Sequence, residues 1–158
     1  MRKTIIEPRF GERVEKFDES DKVDSFVHSN GVMIDHGNYQ RVHLSGMAPI
    51  NDSEELVGEN SVEIQTRTIL ENIQQYLEAL GGSMDDIVRV RVYTKDMEED
   101  DFLTIHEVRS EFFDEAHYPA STLVEVAGFV LDEMLIEIDT EAIIPTDDWE
   151  ISELDVTY

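Results

Sequence analysis

Apolar residues settle into a regular pattern only at Phe26. Residues 1–24, including GERVEKFDESDK, are polar and mixed in charge with no sustained apolar period, and read as an N-terminal extension with some strand character. FVHSNGVMIDHG and YQRVHLSG are then two short runs rich in Val, Ile and aromatic residues, split by Gly37-Asn38, which predicts a β-hairpin. In the second run Arg41, His43 and Ser45 alternate with Val42 and Leu44, giving a strand with one polar and one buried face. Gly46 ends that strand at a point where the backbone can approach another group closely.

Further along, the period lengthens. Asn60 and Glu63 have capping-box spacing, and Ile64, Ile69, Ile73, Tyr76, Leu77 and Leu80 follow along one helical face until Gly81-Gly82 closes it. Ile87 to Thr94 reads as a strand with Val88, Val90 and Val92 on one face and Arg89, Arg91 and Tyr93 on the other. A second helix, about Phe102 to Ala116, follows the cluster Glu98-Glu99-Asp100-Asp101, where a helix dipole favours negative charge, and buries Leu103, Ile105, Val108, Phe112 and Phe113. Thr122 to Val126 and Met134 to Ala142 are the last strands, and the tail from 146 to 158 is acidic. This order predicts an α+β fold with two helices on one sheet face.

Composition narrows the options. The 158 residues fit one domain. Thirty-seven Asp and Glu against twelve Lys and Arg give a net charge of −25. The acids are spread from Glu7 to Glu153 rather than gathered in one block, which favours a surface adapted to a salt-rich cytoplasm over an acidic docking face. No stretch clusters the Lys and Arg that phosphate neutralisation requires, so nucleic-acid binding is disfavoured. The absence of cysteine excludes disulfides and thiol chemistry. The start MRKTIIEPRFGER lacks an apolar segment and no run approaches a membrane span, so a cytoplasmic protein with no membrane partner is expected. His28, His36, His43, His106 and His117 show no ligand spacing; no metal site is expected, although His28 and His43 on adjacent hairpin strands could meet.

The run Tyr118 to Ile138, YPASTLVEVAGFVLDEMLIEI, carries a more specific signal. Together with Ser45-Gly46, Glu71-Asn72-Ile73, Gly81-Gly82, Tyr93-Thr94-Lys95-Asp96 and Phe112-Phe113 it resembles the RidA/YjgF family in element order from about Phe26 to Ile144. The resemblance implies a RidA-like domain over 25–145 with a chorismate-mutase-like mixed sheet. It also implies a homotrimer with a small-molecule cleft between neighbouring subunits. Deaminating members hydrolyse enamines or imines to 2-keto acids and ammonia without a cofactor. By the same resemblance Glu137 is the catalytic carboxylate, and Phe26, Ser45, Gly46, Tyr93, Ser121, Thr122 and Leu123 line the substrate site.

Two of these positions depart from the family pattern. Ser121 stands where an arginine holds the substrate carboxylate, and a hydroxyl offers one neutral donor in place of a bidentate cation. Phe26 replaces the usual pocket tyrosine. Arg41, Arg89 or Arg91 could substitute, but arginines more often pair with surface acids. The resemblance therefore implies a protein that hydrolyses or binds small enamine, imine or related carbonyl metabolites. A non-catalytic ligand-binding trimer is the alternative, and a ribonuclease or translation inhibitor ranks last.

Overall fold

Among the described residues these patterns give six strands and two α-helices that build the domain, with two short 3-10 turns between them. The computed structural model describes residues 1–7, 27–51, 53, 55–147, 149 and 151. The strands are β1 (Arg2–Ile6), β2 (Gly31–Asp35), β3 (Tyr39–Met47), β4 (Ile87–Thr94), β5 (Ala120–Glu125) and β6 (Ile136–Pro145), and the helices are α1 (Val62–Ala79) and α2 (Glu99–Ser110). They form one six-stranded sheet in the order β1-β2-β3-β6-β4-β5. All neighbours are antiparallel except β4 and β5, which run parallel because α2 crosses between them. The mixed sheet with two helices is the α+β fold that the sequence predicts.

The expected hairpin is β2–β3, with Gly37 at φ +94° in its turn. β1, in the N-terminal stretch, pairs antiparallel with β2. One sheet face carries Val42, Leu44, Val90, Val92, Ile136 and Ile138, all buried against Ile69, Ile73 and Leu77 of α1 and Ile105 and Val108 of α2. Each such side chain contributes roughly 1.5–3 kcal/mol on removal from water. Gly81-Gly82 closes α1 as expected. Gly81 adopts φ +86°, its N–H donates to the Glu78 carbonyl, and the Gly82 N–H reaches back to Leu77.

Local details differ from the periodic reading. The α1 cap is Ser61, whose hydroxyl accepts from the Ile64 N–H at 3.2 Å, while Asn60 sits left-handed at φ +61°. Ile64 is consequently exposed in the first turn, and Val62, Gln65 and Thr66 take the buried positions. In β4 a register shift between Ile87 and Arg89 turns Val88 outward and Ile87 inward. α2 starts earlier than expected, because Glu99, Asp100 and Asp101 occupy its first turn, and it ends at Ser110; Leu103 is exposed. β5 starts at Ala120 and β6 runs on to Pro145. Beyond β6, the Trp149 indole N–H donates to Asp86, in the turn before β4, at 2.9 Å. None of the described helices is long and apolar enough to cross a membrane.

Candidate functional site

The sheet face opposite the helices is polar, and β6 lies at its centre. Strand alternation that buries Ile136, Ile138 and Thr140 sends Glu137, Asp139 and Glu141 to this outer face. The flanking strands send Arg41 and His43 from β3 and Arg91 and Tyr93 from β4 to the same side. Arg91 divides its guanidinium between Asp139 at 2.7 Å and Glu141 at 2.6 Å. Arg41 also bonds Glu141 at 3.0 Å, and the Tyr93 hydroxyl donates to Asp139 at 3.1 Å. Arg91, with Arg41 second, holds the Glu141 carboxyl below the usual range. Arg41 and Arg91 are thus committed to acids, and no described ion pair takes Arg89.

Glu137 is the exception in this row of carboxylates. It has no ion pair or hydrogen bond among the described residues, and burial followed by the Asp139 charge pushes its carboxyl up. A β-bulge positions it. From Leu44 to Met47 β3 spends three steps where β6 spends two, from Thr140 to Ile138, and the extra residue brings Gly46 over Glu137. A Cβ at Gly46 would lie 2.6 Å from the Glu137 carboxyl carbon, so any larger residue there displaces the end of the Glu137 side chain. Ser45, beside it, donates its hydroxyl proton to the Ser29 carbonyl at 2.6 Å and keeps its lone pairs free to accept. Tyr93 is the cross-strand partner of Glu137.

The structure therefore gathers Glu137, Ser45, Gly46 and Tyr93 on one face. Thr122 shares that side, opposite Arg91 on β5. Ser121 and Leu123 pair with Val90 and Val92, whose side chains face the helices, and so lie on the other side of the sheet from Glu137. Phe26 lies outside the described residues. Among the described residues no group of His, Asp or Glu could hold a metal ion.

Ser121 has an unexpected partner: its hydroxyl accepts a 3.1 Å hydrogen bond from Nη2 of Arg109, in the last turn of α2. Arg109 is only 8% exposed, and its Nε and Nη1 have no hydrogen-bond partner among the described residues. Burial pulls its pKa down. Its guanidinium carbon stands 5.8 Å from the centre of the Phe113 ring. Sequence reading weighed Arg41, Arg89 and Arg91 and passed over this residue. Its spacing of four from Ile105, on the buried stripe of α2, was the available signal.

A cavity of about 380 Å³ opens elsewhere, between α1 and the start of the chain, lined by Glu7, Asn30, Met47, Asn72 and Tyr76. Glu7 accepts from Asn30 at 2.6 Å and from the Tyr76 hydroxyl, and burial with the Glu7 bond pushes Tyr76 up to about 12. No expected site residue lines this cavity.

Comparison with known proteins agrees with this architecture. The sequence pattern of the family described as Endoribonuclease L-PSP matches residues 26–144. A RutC family protein of Pyrococcus horikoshii is 40% identical over 106 residues, covering 67% of this chain and 79% of the relative. A 2-iminobutanoate/2-iminopropanoate deaminase of Salmonella typhimurium is 38% identical over 104 residues, 65% of this chain and 77% of the relative. Among solved structures, Escherichia coli TdcF with bound serine superposes with a TM-score of 0.61 at 33% identity, over 73% of this chain and 87% of TdcF.

Proposed function

Because this chain belongs to the Endoribonuclease L-PSP (RidA/YjgF) family, we propose that it hydrolyses a small enamine or imine, with Glu137 as the group that handles the water. The observation that carries this reading is the contrast within β6. Asp139 and Glu141 are neutralised by arginines, whereas Glu137 is half-buried, without a partner among the described residues, and lies under Gly46. A carboxyl whose pKa burial raises moves protons in both directions more readily than an ordinary glutamate.

The chemistry follows from that placement. Water adds to the C=N carbon while the Glu137 carboxylate takes one of its protons. The C=N electron pair moves to nitrogen, which receives that proton and another from solvent. Collapse of the protonated carbinolamine passes its hydroxyl proton through the Glu137 carboxylate to solvent, forms C=O and releases ammonia. An enamine first takes a proton at carbon and gives one up from nitrogen to become the imine. No oxidant or cofactor enters the balance. The name of the Salmonella relative points to short 2-imino acids as the substrate class.

Ser121 and Glu137 lie on opposite faces of the sheet, with β4 between their strands. A cleft that uses both needs a second copy to bring its β5 edge against the outer face of the first. A homotrimer with three such clefts is the assembly proposed here. A non-catalytic ligand-binding trimer is the second reading, favoured by Ser121 in the arginine position. Ribonuclease activity is disfavoured by the net charge of −25.

The test is release of ammonia and 2-oxo acid from freshly generated 2-aminoacrylate at ~2 M KCl, where exposed charges are screened. Turnover in the wild type that is lost in Glu137→Ala supports the deaminase. Absence of turnover with retained binding of 2-oxobutanoate moves the protein to the second reading.

A further inference from the structure

Arg109 is anomalous for this chain. Thirty-seven acidic residues are available, yet none pairs with it among the described residues. Glu111, two positions on, instead forks onto Arg67 with two 2.7 Å bonds. The neighbouring ring on its helix, His106, is held toward its neutral form by burial and then by the Arg109 charge, so it supplies no compensation. Of the five N–H donors of the guanidinium, one meets the neutral oxygen of Ser121, and Nε and Nη1 meet nothing among the described residues. Burying a guanidinium without an anion is costly, and each such unsatisfied group calls for a partner.

Ser121 shows where that partner enters. It is exposed on β5, the edge strand of the sheet, and its oxygen serves as acceptor for Arg109, which leaves its own proton free to donate. A small anion arriving at the strand edge meets the exposed Ser121 hydroxyl first, with Nη2 of Arg109 3.1 Å from its oxygen as the second donor. Behind them the buried charge of the guanidinium acts in a medium of low dielectric. Planar carboxylates suit such a fork better than spherical ions do.

We propose that Arg109 and Ser121 together form an anchoring site for the carboxylate of a small organic acid, with the cation supplied from α2 rather than from β5. This deepens the reading given above: if the chain hydrolyses an imine, its substrate is a 2-imino acid and not an uncharged carbonyl compound. Arg109 is a binding residue, and it takes no part in proton transfer.

The full-length protein is titrated with 2-oxobutanoate at constant KCl, so that chloride competition is the same in every sample, while arginine Nε–H resonances are followed by NMR. The Arg109 signal is identified by its disappearance in Arg109→Lys. It is expected to move on titration, and Arg109→Met is expected to weaken binding by at least about tenfold, with Arg109→Lys in between. Arg109 resonance unmoved at saturation, or affinity in Arg109→Met within about twofold of wild type, overturns the proposal. If Arg109→Met does not fold, the wild-type resonance decides alone. Turnover of 2-aminoacrylate is scored separately. Arg109-dependent binding without turnover removes the deaminase and keeps the anchor, whereas turnover with unchanged KM in Arg109→Met keeps the deaminase and removes the anchor.

Discussion

Gly46 stands over Glu137 with no room between them for a side chain, since a Cβ on the glycine would fall 2.6 Å from the carboxyl carbon. The bulge in β3 that creates this approach leaves the hydrogen-bonded register on either side intact, at Leu44 with Thr140 and at Met47 with Ile138. The carboxylate thus lies against the glycine backbone, without a hydrogen bond or ion pair among the described residues.

Gly46→Ala is expected to push the Glu137 carboxyl to another rotamer. The group displaced is the end of a flexible side chain, so the cost in stability is small. Displacing a reacting group by about 1 Å can cost up to ~10²-fold in rate. Measured together, thermal denaturation should fall modestly and kcat/KM for 2-aminoacrylate by at least about tenfold. Turnover close to wild type would show that Glu137 is not positioned by the glycine.

The raised carboxyl of Glu137 has two opposite consequences for pH dependence. Its folded pKa lies above its unfolded value, so the folded state binds more protons between the two, and stability from this group declines as pH rises through that window. Activity runs the other way, because water activation needs the carboxylate, and kcat should decline as pH drops through the folded pKa. Glu137→Gln should raise the melting temperature at neutral pH and abolish turnover. A lowered melting temperature would contradict the burial argument.

Arg91 neutralises both of the other carboxylates in the row. Arg91→Met leaves Glu141 with Arg41 and Asp139 with the Tyr93 hydroxyl, which adds uncompensated negative charge beside Glu137. The acidic limb of the pH–rate profile is expected to move to higher pH. Glu141, held low by Arg91, stabilises the fold above its unfolded pKa and loses that contribution as pH falls through the folded value. In Arg91→Met that acid-dependent loss should shrink. Unchanged profiles in both measurements would mean that the three carboxylates do not interact.

At a net charge of −25, self-repulsion should dominate stability in dilute buffer. The Debye length falls from roughly 10 Å at 0.1 M salt to roughly 3 Å at 1 M. The melting temperature is expected to climb with KCl over that range and then flatten. A flat response from the lowest salt upward would remove the salt-adapted reading of the composition.

Much of this molecule was legible before any coordinates, and the reasons differ by element. β4 was legible to its ends because Val90 and Val92 against Arg91 and Tyr93 is strict alternation. Val88 was misplaced because a register shift breaks that alternation without any mark in the sequence. Ile64 and Leu103 fit a helical period but sit on the wrong side of their helices, where the cap at Ser61 and the early start of α2 set the phase. Periodicity holds no information on which strands pair, so the insertion of β6 between β3 and β4 depends on the whole sheet closing over α1 and α2. Motif register singles out Glu137, whereas its burial and its place under Gly46 come only from the bulge in β3. Arg109 was not legible, because a charge on a helix is ordinarily solvated, and only packing shows that this one is buried.

The bond from Trp149 to Asp86 gives the protein an optical reporter of its own. The chain contains a single tryptophan, and its indole is tethered to the turn that leads into β4. Emission therefore speaks for the docking of Trp149 on Asp86, while far-ultraviolet dichroism speaks for the sheet and helices. A red shift in fluorescence that precedes the loss of dichroism on heating would mark a segment that undocks before the domain melts. Coincident transitions would mark one cooperative unit that includes it.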